Sequence, residues 1–148
     1  MPPDSVLYWD SSAVLSALVK DRHSDQAWES ARKKAYHLIS SLVVAEVHAV
    51  LNRMNREGYL ADILVKAALE AFSQGPWRLV RLDPLPSDIA SLARKWPLRG
   101  ADLWHLALAV RLKQDLPELR LLTFDRRLNA AAWGEGLWLS VGDGSVGR

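Results

Sequence analysis

Short apolar segments alternate with helical segments along the chain, and this alternation constrains the fold more than any other feature. Five β-rich segments are predicted at residues 6–9, 38–40, 77–82, 119–124 and 137–139. Helices are predicted at residues 13–20, 24–34, 42–57, 60–74, 87–96, 101–113 and 125–132. Strands that alternate with helices form a parallel sheet with helices on both faces. The pattern therefore predicts an α/β fold, a three-layer sandwich around a five-stranded parallel sheet.

The length of 148 residues predicts one domain over residues 1–148, with a core at about 6–139 and a flexible, glycine-rich tail at 141–148. The absence of cysteine excludes a disulfide scaffold, a thiolate metal site and a cysteine nucleophile. No apolar run approaches the ~18 residues that cross a bilayer, and no signal peptide is evident at the N-terminus. We expect a cytoplasmic protein that does not bind membranes.

The sequence also predicts how two helical regions are placed in the fold. Residues 42–57 and 60–74 are amphipathic and separated by a break at Gly58, which predicts an α-hairpin arm. Residues 101–113 are apolar on nearly every face, so we expect that helix to be central and buried.

Four carboxylates are predicted at one edge of the sheet. Asp10 ends the first strand, Asp125 ends the fourth, Glu46 lies in the helix after the second, and Asp102 lies in the first turn of the buried helix. Ligands of parallel sheets bind beyond the carboxyl ends of the strands, where these side chains would meet. Two like charges ~4 Å apart repel by ~4 kcal/mol at an effective dielectric constant of ~20, so such a cluster needs protons or cations.

Carboxylate ligands favour Mg²⁺ or Mn²⁺, and such ions stabilise the attacking and leaving oxygens in phosphodiester cleavage. A metal-dependent nuclease is the chemistry that this set of residues favours. Each acid also has an ordinary structural explanation. Asp125 would serve as a helix cap, Asp102 would suit a helix N-terminus, and Glu46 would face solvent if its helix turned it outward.

Four segments around these acids resemble the PIN-domain family, most closely the VapC-type toxins of toxin–antitoxin pairs. They are LYWDSSA at residues 7–13, SSLVVAEV at 40–47, LRGADLWHLALA at 98–109 and LLTFDRRL at 121–128. All four occur in the family's order. Trp9 and Trp104 stand where the family often has other residues, which leaves the pocket shape open.

The resemblance implies a five-stranded sheet in the order 3-2-1-4-5 and Mg²⁺- or Mn²⁺-dependent endoribonuclease activity with one or two ions. By position, Asp10, Glu46, Asp102 and Asp125 match the acidic quartet of the family. Asp10, Asp102 and Asp125 would ligate metal, and Glu46 would ligate it directly or through water, or orient the attacking water. Ser12 and Thr123 match supporting hydroxyl positions.

The resemblance also implies an RNA substrate, a cognate VapB-type antitoxin and a homodimer. The arm at residues 42–74 is the expected cradle for an amphipathic antitoxin helix, unless its apolar face packs only on the protein's own sheet. The non-catalytic alternative is a PIN-like module that binds RNA or protein.

Basic residues flank the acidic motifs. The chain has 19 basic and 17 acidic residues, so positive charge is in clear excess outside the four acids. Arg99, Arg126 and Arg127 would form a rim that binds phosphates. Residues 32–34 are basic too, although a solvated surface explains them equally well. For His105, one helical turn from Asp102, a packed side chain is favoured over a substrate contact.

Two other α/β classes fit the sequence less well. A response-regulator receiver domain requires a second acid beside Asp10 and a lysine after residue 139, and the chain has neither. A haloacid-dehalogenase phosphatase requires an aspartate where Ser12 stands.

Overall fold

A four-stranded parallel sheet lies at the centre of the computed structural model, which describes residues 5–139. The elements are β1 (Val6–Trp9), α1 (Ser11–Leu18), α2 (Ser24–Ala31), β2 (Tyr36–Ser40), α3 (Ser41–Arg56), α4 (Asp62–Gln74), β3 (Trp77–Val80), α5 (Pro86–Lys95), α6 (Gly100–Asp115), β4 (Leu119–Leu122) and α7 (Arg126–Gly134). The strand order is β3-β2-β1-β4, and every pair is parallel. The predicted α/β sandwich with a parallel sheet is confirmed.

The prediction of a fifth strand at residues 137–139 is wrong for the part of the chain that is described. Leu137 lies beside β4, where its carbonyl oxygen accepts a hydrogen bond of 2.8 Å from the amide of Leu121. Its own N–H, however, donates back to the carbonyl of Ala132 in α7, also at 2.8 Å. Gly136, with φ +74°, makes this tight return possible. The amide of Leu137 is thus used within the turn and cannot donate to a neighbouring strand. The predicted tail at 141–148 lies outside the described residues.

Alternate side chains of β1 enter two separate cores. Val6 and Tyr8 pack in a cluster with α5, α6 and α7, whereas Leu7 and Trp9 pack in a cluster with α1 to α4. All four side chains are buried, because β1 is a central strand with helices on both faces of the sheet. This arrangement makes the two helical layers of the sandwich.

α6 contributes more buried residues to the first core than α5 or α7, in line with the prediction of a buried helix. Five consecutive residues, 105–109, are buried. Four of them are apolar, and the fifth is His105.

The predicted helical hairpin of α3 and α4 packs against the sheet. Its inner side chains Val43, Val47 and Val65 belong to the second core. On the outside of the same hairpin, Ile63 and Leu64 are exposed. One face of the arm therefore packs on the sheet, while another face is left exposed by the described part of the chain. The role of the arm as an antitoxin cradle stays a prediction.

Several element boundaries differ from the predictions. α1 begins at Ser11, because the carboxylate of Asp10 caps it by accepting from the amide of Ala13. α2 ends at Ala31, before the predicted end at residue 34. α5 begins at Pro86, without a capping side chain. Across residues 5–139, none of the helices is long and apolar enough to traverse a membrane.

Candidate active site

The four predicted acids lie at the carboxyl edge of the sheet. Asp10 directly follows β1 and caps α1, and Asp125 follows β4 and caps α7 by accepting from the amide of Leu128 at 2.9 Å. Glu46 lies in the second turn of α3, and Asp102 lies in the first turn of α6. Two of the acids therefore have the capping role that is the ordinary explanation for such residues. Capping and a functional role are compatible, because a cap uses only one carboxylate oxygen.

Asp10 is the most enclosed of these carboxylates, with only 3% of the residue exposed. Its Oδ1 accepts from the hydroxyl of Ser12 at 2.7 Å and from the amide of Ala13 at 2.9 Å. Its Oδ2 accepts from the hydroxyl of Thr123 at 2.5 Å. Burial raises the pKa of Asp10, and the three donors offset this only in part. Asp10 is therefore a rigidly held carboxylate whose negative charge is poorly solvated.

Ser12 and Thr123 join the segment after β1 to the segment after β4. Their hydroxyl oxygens lie 3.3 Å apart. Ser12 Oγ accepts from the amide of Phe124 at 3.1 Å, and Thr123 Oγ1 accepts from the amide of Asp125 at 3.1 Å. The two predicted supporting hydroxyls thus hold Asp10 and the backbone of Asp125 in one network.

Glu46 has an unexpected neighbour, His105. Nε2 of His105 lies 2.8 Å from Oε1 of Glu46, and the hydroxyl of Ser11 donates to the same oxygen at 2.6 Å. Burial raises the pKa of Glu46, but the hydrogen bonds from His105 and Ser11 outweigh it, so the pKa lies below its ordinary value. Glu46 is therefore stabilised as a carboxylate.

The pKa of Asp102 is raised by the charges of all three other acids. Burial and the negative charges of Asp125, Asp10 and Glu46, in that order, raise its pKa, while His105 lowers it slightly. This electrostatic coupling is the sign that the four carboxylates share one edge of the sheet. A cation placed among them would relieve the repulsion.

The donor set fits a hard divalent cation. The candidate ligands are all carboxylates, and hydroxyl groups support them. Within residues 5–139, no three His, Asp or Glu side chains lie close enough together to form a ready-made ligand set. This spacing does not conflict with Mg²⁺, which is usually bound by one or two carboxylates together with waters and substrate phosphates.

A cavity of about 630 Å³ opens beside Asp102 and Asp125, whereas Asp10 and Glu46 are not among its lining residues. Its lining combines acidic, basic and aromatic side chains: Arg22, His23, Leu98, Arg99, Asp102, Phe124, Asp125, Arg126 and Arg127. The three predicted rim arginines are among these residues. The basic cluster at 32–34 is not, so nothing connects it to the cavity.

The sequence did not indicate Arg22 and His23, which also border the cavity. The ring of His23 stacks on that of Phe124, with centroids 4.5 Å apart and planes 2° from parallel. Nε of Arg22 donates to Nε2 of His23 at 3.2 Å. His23 directly precedes α2 and has no motif around it, so no local signal pointed to it.

Comparisons with known proteins point to one family. A protein-family model described as "PIN domain" matches residues 7–134. A curated relative, Ribonuclease VapC46 of Mycobacterium tuberculosis, is 32% identical over 128 residues, covering 86% of this chain and 91% of that protein.

Two solved structures have a similar fold. PAE2754 from Pyrobaculum aerophilum matches with a TM-score of 0.59 and 19% identity, covering 86% of this chain and 80% of the other. VapBC2 from Rickettsia felis, solved bound to a promoter DNA fragment, matches with a TM-score of 0.51 and 13% identity, covering 81% and 99%. At these identities, the likeness supports the fold alone.

Proposed function

Because the chain belongs to the PIN-domain family and is of the VapC type, we propose that it is a metal-dependent endoribonuclease, the toxin of a toxin–antitoxin pair. The relative VapC46 is named as a ribonuclease, and its 32% identity to this chain supports the same class of activity here. The observation that carries the proposal is the cavity, in which Asp102 and Asp125 stand beside four arginines.

That mixture of charges suits a phosphodiester. Arginine binds phosphate oxygens through its forked N–H donors, and the carboxylates suit the cation that accompanies a phosphate. The stacked rings of His23 and Phe124 border the same cavity, and a nucleobase next to the bound phosphate would meet them there. The relative named as a ribonuclease supports RNA as the substrate class.

One or two Mg²⁺ or Mn²⁺ ions are proposed as the cofactor. Asp102 and Asp125, which line the cavity, would hold the metal directly. Asp10 and Glu46, which do not line it, would contribute directly or through water. When bound, such an ion lowers the pKa of water and stabilises the charge that develops on the phosphate oxygens.

The chain's own residues have separable tasks in this proposal. Ser12 and Thr123 keep Asp10 in one orientation through its two oxygens. Glu46 would ligate the metal, directly or through water, or orient the attacking water. Arg99, Arg126 and Arg127 bind phosphates of the RNA backbone, so binding should weaken as salt increases.

A cognate antitoxin is the proposed protein partner, and a homodimer is the proposed assembly. The support comes from VapBC2 of Rickettsia felis, which was solved bound to a DNA fragment from the promoter. In this chain, the exposed side chain of Leu64 lines an apolar groove of about 380 Å³ between α4 and the end of α1, and Ile63 is exposed on the same helix. An amphipathic antitoxin helix would cover this surface.

The test is RNA cleavage by antitoxin-free protein with Mg²⁺ or Mn²⁺. We expect cleavage that EDTA abolishes and that Asp102→Asn reduces by at least about 100-fold, the range seen when one essential electrostatic group is lost. Asp115→Asn is the matched control, because Asp115 is exposed at the opposite end of the same helix. Equal cleavage by wild type and Asp102→Asn would overturn the proposed site. Metal and RNA binding without cleavage would favour a non-catalytic binding module.

A further inference from the structure

A buried row of side chains runs from the sheet to Glu46. The hydroxyl of Tyr8 lies 3.0 Å from Oγ of Ser40 and 2.7 Å from Nδ1 of His105. Nε2 of His105 then lies 2.8 Å from Oε1 of Glu46. Both nitrogens of the imidazole are therefore engaged, one by the core and one by the candidate site.

The ring of His105 has little freedom to move. His105 is only 1% exposed, and Tyr8 is completely buried. The ring of Trp104 meets that of His105 edge-on, with centroids 5.6 Å apart. A side chain enclosed in this way has no surface to offer a substrate, so any effect on a reaction must pass through the residue that it contacts.

Glu46 is held by only one of its two carboxylate oxygens. Both hydrogen bonds made to Glu46, from Ser11 and from His105, end on Oε1. Within the described part of the chain, Oε2 makes no hydrogen bond to a protein side chain. The Glu46 side chain is 31% exposed, whereas that of His105 is 2% exposed. One oxygen is thus anchored to the core, while the other has no hydrogen-bond partner among residues 5–139 and belongs to a side chain that is partly exposed.

We propose that His105, held by Tyr8, is the positioning residue that fixes the carboxylate of Glu46 with Oε2 free for the reaction. The inference rests on the proposed function for its catalytic consequence, but the restraint on Glu46 is a property of the folded chain itself. A carboxylate on a partly exposed helix samples several rotamers unless it is held, and each wrong rotamer removes it from the reaction.

Two substitutions of His105 separate the two contacts. His105→Gln places an amide near the position of Nε2 and preserves a donor for Glu46. His105→Asn places its amide near the position of Nδ1 and preserves only the contact with Tyr8. We expect His105→Asn to lower kcat by roughly 10–100-fold, as the loss of an outer partner of a functional carboxylate typically does, with KM within about twofold of wild type. His105→Gln should recover most of kcat.

His37 provides the matched structural control. It is also buried, and its ring is also engaged at both nitrogens, by Trp9 Nε1 at 3.0 Å and by the carbonyl of Lys33 at 3.0 Å. It lies at the opposite end of its strand from the candidate site. His37→Asn should therefore lower the Tm while kcat stays within about twofold of wild type.

A second readout does not depend on cleavage. Side-chain NMR of Glu46 should show one rotamer in wild type and in His105→Gln, and averaging over several rotamers in His105→Asn. If His105→Asn fails to fold, Tyr8→Phe tests the other contact of the ring, because it removes the hydroxyl next to Nδ1 of His105, and it should likewise allow Glu46 to sample several rotamers.

The outcomes distinguish the two proposals. Loss of the fixed Glu46 rotamer in a protein that never cleaves RNA would support the positioning role and overturn the proposed function. An unchanged rotamer and kcat in His105→Asn would overturn the positioning role, as would equal losses of kcat in His105→Asn and His37→Asn. In a protein that cleaves RNA, His105→Asn should also cause no further loss when Glu46→Gln is already present.

Discussion

Thr123 donates a hydrogen bond to Oδ2 of Asp10, although the two residues are 113 positions apart in the chain. The contact joins the ends of β1 and β4, which are neighbours in the sheet. It leaves Asp10 with a donor on each oxygen and connects the first acid of the candidate site to the last.

Removing this donor should shift the pH dependence of cleavage. Thr123 lowers the pKa of Asp10, so Thr123→Val should raise that pKa further. If the ionised carboxylate is needed, the acidic limb of the pH–rate profile will move to higher pH, and the rate at the optimum will fall by roughly 10–100-fold. Thr123→Ser keeps the hydroxyl and should restore the wild-type profile. Identical profiles for Thr123→Val and wild type would show that this bond has no role in activity.

Asp102→Asn should stabilise the folded protein while it abolishes cleavage. Burial and neighbouring carboxylates raise the pKa of Asp102 in the folded state. Folding therefore disfavours the ionised form of Asp102. The resulting loss of folding stability is present above the raised pKa of the folded state, and it disappears below the pKa of the unfolded state, near 3.8. We expect a higher Tm than wild type at pH 7 in metal-free buffer and a smaller difference near pH 4. A lower Tm at pH 7 would contradict the proposed repulsion.

Arg126→Ala should weaken RNA binding more than it slows the chemical step. Arg126 borders the cavity and is exposed, so its loss should raise KM several-fold and reduce the slope of log affinity against log salt by about one unit. Arg53→Ala removes an exposed arginine from α3 that does not line the cavity, and it should change neither quantity. Equal effects of the two substitutions would mean that the positive charge acts generally rather than at this cavity.

Leu64→Lys should prevent the antitoxin from binding without affecting cleavage. Leu64 is 53% exposed and lines the apolar groove on α4, so a lysine there disrupts docking but not the core. Co-purification with the proposed antitoxin measures the effect. Trp133→Lys alters a comparably exposed apolar residue on α7, and the complex should persist. Retention of the antitoxin by Leu64→Lys would place the interface elsewhere.

The sequence predicted the helices, four of the strands and the edge of the sheet that the four acids share. These features depend on local information, because apolar periodicity, capping residues and strand ends are all encoded within a few neighbouring positions. Asp10 and Asp125 illustrate this point, since each follows a strand and begins a helix. The fifth strand failed because a glycine turn directs the amide of Leu137 back to α7, a choice that apolar alternation does not reveal.

The partners of the site residues follow from packing between layers. His105 meets Glu46 across 59 positions and Tyr8 across 97, and no spacing rule within one helix or strand links such residues. The sequence favoured His105 as a packed side chain, which is correct for its burial but says nothing about the carboxylate that it contacts. Local chemistry therefore identifies which residue types stand at the edge of the sheet. The docking of α3 and α6 on opposite faces determines which of them touch, because hydrogen bonds require atoms to lie within about 3 Å.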